Sequence, residues 1–207
     1  MRNLILLIII TLAFSDPSFG QKRGGNAPFI SLFAGDLSIQ AEKFLDYYDS
    51  KNDLTFGLGL GIPLGKSLSF DLSALYFEKE STYLSATNLN SQENAILKQI
   101  ILNAGFQVHL LPNRIVGFSF LAGANYAIID EERTNEEGEF VYEIEGEGNI
   151  GIYGGANIEL SLGHTPFALF ADARYTYSWK PILEYDDSYR DLRYTAGLKL
   201  YLSDRWK

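Results

Sequence analysis

The chain contains no cysteine, which excludes a disulfide framework, a thiolate metal centre and the lipid-attachment cysteine of a lipoprotein leader. It has only two histidines, His109 and His164, so a His/Cys metal cluster is excluded too. The 17 basic residues are outnumbered by 26 acidic ones for a net charge of −9, and nucleic acid is not an expected partner. Strong helix-forming stretches are few. Beyond residue 20 no apolar run approaches the roughly twenty residues that a membrane-spanning helix needs.

The N-terminus carries a different signal. Arg2 precedes the apolar run Leu4-Ile5-Leu6-Leu7-Ile8-Ile9-Ile10, followed by Leu12, Ala13 and Phe14, the breaker pair Asp16-Pro17, and Ser18-Phe19-Gly20. A short apolar core ending in small residues is the pattern of a secretory signal peptide. Residues 1–20 are predicted to be removed before Gln21, leaving 21–207 as one domain.

Against these absences stand 13 Tyr, 14 Phe and 19 Gly, an enrichment that favours strands. Period-two alternation is clearest in Leu54-Thr55-Phe56-Gly57-Leu58-Gly59-Leu60-Gly61-Ile62-Pro63-Leu64, where one face is apolar and the other small or polar. The same reading predicts strands at 29–40, 54–64, 67–79, 95–110, 115–129, 149–162, 167–179 and 193–202. Phe33 and Leu37 are assigned to the apolar phase of the first, and Asp36 and Ser38 to its polar phase.

Alternation does not say which face points inward, but three features do. Short turns at Gly65-Lys66, Pro112-Asn113-Arg114 and Gly163-His164-Thr165-Pro166 alternate with long polar connections near 41–53, 80–94, 130–148 and 180–192. Transmembrane barrels have that asymmetry. Tyr76, Tyr126, Tyr175, Tyr177, Trp179 and Tyr194 lie on the apolar phase near the long connections, as an interfacial aromatic girdle does. Phe29, Phe106, Phe118 and Phe167 are placed towards the other interface. The polar phase carries acids and bases together, which suits a filled lumen better than an apolar ligand pocket. The expected fold is an all-β, eight-stranded, antiparallel up-and-down transmembrane barrel with an apolar exterior. A soluble periplasmic ligand-binding barrel is the alternative.

With these residues in hand the chain resembles the small outer-membrane barrels of the OmpA and OmpX kind, and more closely the PorT-type outer-membrane barrel proteins. The resemblance is architectural and covers nearly all of the mature chain. It departs at the C-terminus, Leu202-Ser203-Asp204-Arg205-Trp206-Lys207, where such barrels usually end on an aromatic residue. It implies an outer-membrane location and, from the PorT likeness, an accessory part in secretion across that membrane.

An eight-stranded barrel is just wide enough for side chains to fill, so an ion-pair network of Asp36, Asp71, Glu159, Asp172, Arg174 and Lys199 is expected in the lumen, centred on Arg174 and Lys199. It serves as a structural plug or, alternatively, lines a narrow ion path. No cofactor, metal site or catalytic group is expected. His109 and His164 fall at the short-turn end, away from the outer leaflet where a lipid-modifying Ser-His pair would have to work. Expected partners are outer-membrane lipid and lipopolysaccharide, and other envelope proteins through the long connections. Tyr47, Tyr48, Tyr83, Tyr185 and Tyr189 in those connections suit protein contact or packing on one another. The acidic stretch 130–147 reads as a solvated loop, within which Phe140-Val141-Tyr142-Glu143-Ile144 alternates again as an exposed strand edge open to a partner strand.

Overall fold

The computed structural model describes residues 27–40, 44–45, 48, 50–84, 92–110, 115–135, 139–163, 165–180 and 188–202. The expected leader, His164, Tyr47, Tyr185, the Pro112-Asn113-Arg114 turn and Trp206 lie outside them.

Eight strands follow in chain order: β1 (Phe29–Ile39), β2 (Asn52–Pro63), β3 (Leu68–Leu84), β4 (Gln92–His109), β5 (Val116–Thr134), β6 (Phe140–Ser161), β7 (Phe167–Ser178) and β8 (Tyr189–Tyr201). Each pairs antiparallel with its chain neighbours, and β1 pairs with β8 to close the barrel. A hydrogen-bonded row that leaves β7 at Ala168 passes through Lys199, Ser31, Gly59, Ser73, Asn103, Asn125 and Gly151 and returns to β7 at Ser178, ten residues further on. A stagger of this size tilts the strands by on the order of 40° from the barrel axis.

Closure at this radius leaves little room inside, and glycine supplies it where a large side chain crosses. A Cβ on Gly61 would lie 2.1 Å from the Phe29 ring, and one on Gly57 2.7 Å from the Phe33 ring. The alternating glycines of β2 are thus the space into which the aromatics of β1 fold.

The outward face is apolar from β1 round to β8. Leu32, Leu54, Phe56, Leu58, Ile100, Leu102, Phe106, Phe120, Ile152, Ile158 and Leu169 are all exposed large hydrophobics. In β1 the expected phase is reversed: Phe29, Phe33 and Leu37 point inward and are buried, while Ile30 and Leu32 point outward. The segment Phe29-Ile30-Ser31-Leu32-Phe33-Ala34 is apolar on both phases, so its sequence does not specify register; the facing glycines of β2 and β8 do. Phe29 therefore belongs to the lumen rather than to an interfacial aromatic set.

Two connections read as loops are largely strand. β3 runs to Leu84 and β4 starts at Gln92, while β5 runs to Thr134 and β6 starts at Phe140. Four neighbouring strands thus rise beyond the others as an outer sheet. β2 meets β3 only up to Thr55↔Phe77, and β7 meets β6 only up to Gly151↔Ser178. Gly146, at φ 64°, sits opposite the register shift between Ile129 and Glu131, the left-handed position of a glycine bulge. The Asp130 carboxylate accepts its N–H at 2.6 Å.

Candidate functional site

The inward phase sorts into tiers. Towards the short turns it is polar and charged. Arg174, buried on β7, donates through Nε and Nη2 to Asp172 Oδ2, both at 2.8 Å, and Nη1 lies 3.5 Å from Asp71 Oδ1. Thr195 Oγ1 donates to the other Asp172 oxygen, and Arg174 Nη1 reaches Ser73 Oγ at 3.4 Å. The guanidinium also stands over the Tyr153 ring, 5.5 Å from its centroid, a cation–π contact. Gly155, with no Cβ to meet the Arg174 stem, leaves its path clear.

Lys199 forms a second, separate centre. Its Nζ lies 2.9 Å from Glu159 Oε2 and stands over the rings of Phe29 and Phe170, 4.5 and 5.0 Å from their centroids. Tyr201 donates to the same Glu159 carboxylate at 2.7 Å. Five of the six expected lumen residues, Asp71, Glu159, Asp172, Arg174 and Lys199, are therefore buried inside, in two clusters rather than one. Asp36 is not among them. It sits on the outward phase of β1, half-buried, and accepts a hydrogen bond from Asn52 Nδ2 at 3.0 Å. Its misplacement follows from the β1 phase reversal. Sequence reading also missed Asp191 and Arg193, both buried on β8, with Arg193 directly across from Arg174. Their parity with Thr195 and Lys199 was the available signal.

Towards the long connections the interior gains an apolar cluster among its buried polar and charged groups, where the alternation suggested a polar lumen. Leu37, Ile39, Leu75, Phe77, Leu97, Ile101, Ala127 and Ile129 form one buried cluster with Phe44, Tyr48 and Tyr189. Phe44 and Tyr48 come from the first long connection and stack on each other, with ring centroids 4.3 Å apart. Tyr48 donates to Glu131 Oε1 at 2.9 Å and Arg133 Nη2 binds the same oxygen at 2.8 Å, while Tyr189 donates to Gln99 at 3.1 Å. Tyr48 and Tyr189 thus pack inward to close the mouth instead of presenting an outer contact surface.

On the outside, all six expected girdle residues face away from the lumen. Tyr126, Tyr175, Trp179 and Tyr194 are exposed, and Tyr76 and Tyr177 half-exposed. Tyr76 packs on Phe56 and hydrogen-bonds Glu78; Tyr177 packs on Trp179. Nearer the short turns, Phe106 and Phe167 are exposed, and Phe106 packs edge-on against Phe70.

His109 ends β4 with Nε2 3.0 Å from the Ser69 hydroxyl. A Ser-His contact is where nucleophilic chemistry would start, yet Ser69 is only 3% exposed and points into the filled lumen. No carboxylate partner of His109 occurs among the described residues, which also hold no cluster of His, Cys, Asp and Glu arranged for a metal ion.

No family model and no curated protein matches the chain in sequence. Solved structures match its fold. The crystal structure of Neisserial surface protein A superposes with a TM-score of 0.59 at 12% identity, covering 84% of this chain and 97% of that one. Outer membrane protein OprG from Pseudomonas aeruginosa gives 0.51 at 12% identity, covering 89% and 98%. Ail, the attachment invasion locus protein of Yersinia pestis, solved with the heparin analogue sucrose octasulfate, gives 0.50 at 15%, covering 85% and 99%. The chain has the closed, antiparallel, eight-stranded barrel fold that these proteins have. At such identities the likeness speaks for the fold alone.

Proposed function

We propose that the chain is an integral protein of a Gram-negative outer membrane, secreted by way of residues 1–20, and that it works by contact rather than catalysis. The observation that supports this most is the combination of a closed barrel, an apolar exterior and a charge-paired interior. An apolar surface continuous round the barrel is far larger than a soluble monomer exposes, and hydrocarbon is the solvent that matches it. A closed barrel also leaves no unpaired backbone within its apolar belt. The lumen, filled by its ion pairs and the apolar cluster of Phe44 and Tyr48, acts as a structural plug and not as an ion path. Outer-membrane lipid and lipopolysaccharide are the partners along the belt, and other envelope proteins the partners at the outer sheet.

That the compared proteins are outer-membrane barrels agrees with this location. The outer sheet of this chain is acidic, which opposes an anionic ligand of the kind solved with Ail. The PorT-type role in secretion rests on the sequence resemblance and stays a narrower version of the same proposal. The Ser69-His109 contact is read as structural. Isolated outer membranes run unboiled and boiled on a gel are the direct test: fractionation with the outer membrane and a heat-dependent mobility shift are expected. A soluble periplasmic protein with no shift would overturn the proposal and reinstate a ligand-binding barrel.

A further inference from the structure

The outer sheet has two lateral edges, one on β3 and one on β6. On the β3 side, the buried Lys79 side chain binds Asp53 of β2 at 3.3 Å and donates to Ser50 of the first connection at 2.8 Å, which ties the base of that edge to its neighbours. On the β6 side, among the described residues, strand residues 140–150 pair with β5 alone, since β7 joins only from Gly151. Among the described residues, the one link from this stretch to the β7 side is Asn149 Nδ2 donating to the Lys180 carbonyl at 3.1 Å. An unpaired edge presents the backbone N–H and C=O of alternate residues, ready to receive another strand.

The chemistry of the edge selects the occupant. Glu139, Glu143, Glu145 and Glu147 lie along it, and 139–150 contains no basic residue. Glu145 and Glu147 are exposed. Like charges brought across a new strand pair repel, so a second copy of the chain in antiparallel pairing would place acids against acids. We infer that the β6 edge is a β-augmentation site for an extended, lysine- or arginine-bearing segment of another protein. Backbone hydrogen bonds supply the affinity and the facing charges the choice of partner. Gly146 forms the bulge at the base of this edge, so the outer residues 140–145 are the docking rung.

This inference rests on the outer-membrane reading above. The test uses the full mature chain in detergent micelles, first confirmed as a heat-shifting barrel. The probes are three ten-residue peptides: an alternating Lys/Val strand former, its Glu/Val counterpart, and the Lys peptide with two central prolines. Only the first is expected to bind, and to slow amide hydrogen exchange in 140–148 at least tenfold. In Glu143→Lys/Glu145→Lys/Glu147→Lys the preference is expected to pass to the Glu peptide. Equal binding of the proline-bearing peptide would reduce the site to a non-specific charged surface and overturn the inference. Absence of binding by any peptide to a heat-shifting barrel would overturn it while leaving the membrane assignment standing. A missing heat shift would instead remove the assignment on which it rests.

Discussion

Arg174 and Asp172 project from the same strand two residues apart, and close a 2.8 Å ion pair inside the barrel because Thr195 and Asp71 arrive from β8 and β3 to share it. A buried pair of this kind adds little net stability over an apolar filling, but breaking it leaves a lone charge. Arg174→Ala is therefore expected to cost about 3–5 kcal/mol, read as a lower unfolding midpoint in urea. Arg174→Ala/Asp172→Asn should recover part of that loss. Unchanged stability of the single variant would count against the cluster.

Gly61 and Phe29 form a matched pair. The three nearest neighbours of a Cβ at Gly61 are carbons of the Phe29 ring, so Gly61→Ala should cost about 1–3 kcal/mol by overpacking. Phe29→Ala leaves a cavity and should cost about 3–5 kcal/mol. The double variant is expected to lose clearly less than the sum, because the ring that the added methyl would strike has gone. Additive losses in a denaturant series would refute the contact.

Gly146 holds φ 64° at the bulge, a conformation that costs a non-glycine residue roughly 1–2 kcal/mol. Gly146→Ala should loosen the outer hairpin without touching the barrel. Faster hydrogen exchange confined to 131–134 and 140–147, with the heat shift retained, is the expected result.

Trp179 is 59% exposed and packs on Tyr177 at the rim of the apolar belt. In a Trp206→Phe background, where Trp179 is the sole tryptophan, lipids brominated near the headgroup should quench its emission more strongly than lipids brominated near the chain end. The opposite order would move the girdle into the hydrocarbon.

The barrel was legible in the sequence wherever one strand face differed from the other. β2 is the plainest case, with leucine, phenylalanine and isoleucine alternating against glycine and threonine, and its apolar residues do face out. β1 failed for the opposite reason, since Phe29, Ile30, Leu32 and Phe33 make both faces apolar and only the glycines of neighbouring strands decide between them. Strand ends beyond the apolar belt were hidden as well. Glu80, Ser81 and Thr82 carry no large apolar side chain, and Asp130 through Arg133 set charge beside charge, so strand there looks like loop. The pairing of Lys199 with Glu159 joins residues 40 positions apart, which period-two reading cannot reach without the register. Asp191 and Arg193 are within reach by parity, but Asp191 falls in the expected 180–192 connection and Arg193 is the first residue of the expected strand.

β6 runs without interruption from Phe140 at the tip of the outer sheet to Ser161 at the short-turn end. Traction applied at its outer end along the strand axis loads the ladders to β5 and β7 in shear, so that the bonds of a row share the force instead of opening one after another. Closure of the ring then passes that force to all eight strands. Whatever grips the outer sheet is moored to the whole barrel through one continuous strand.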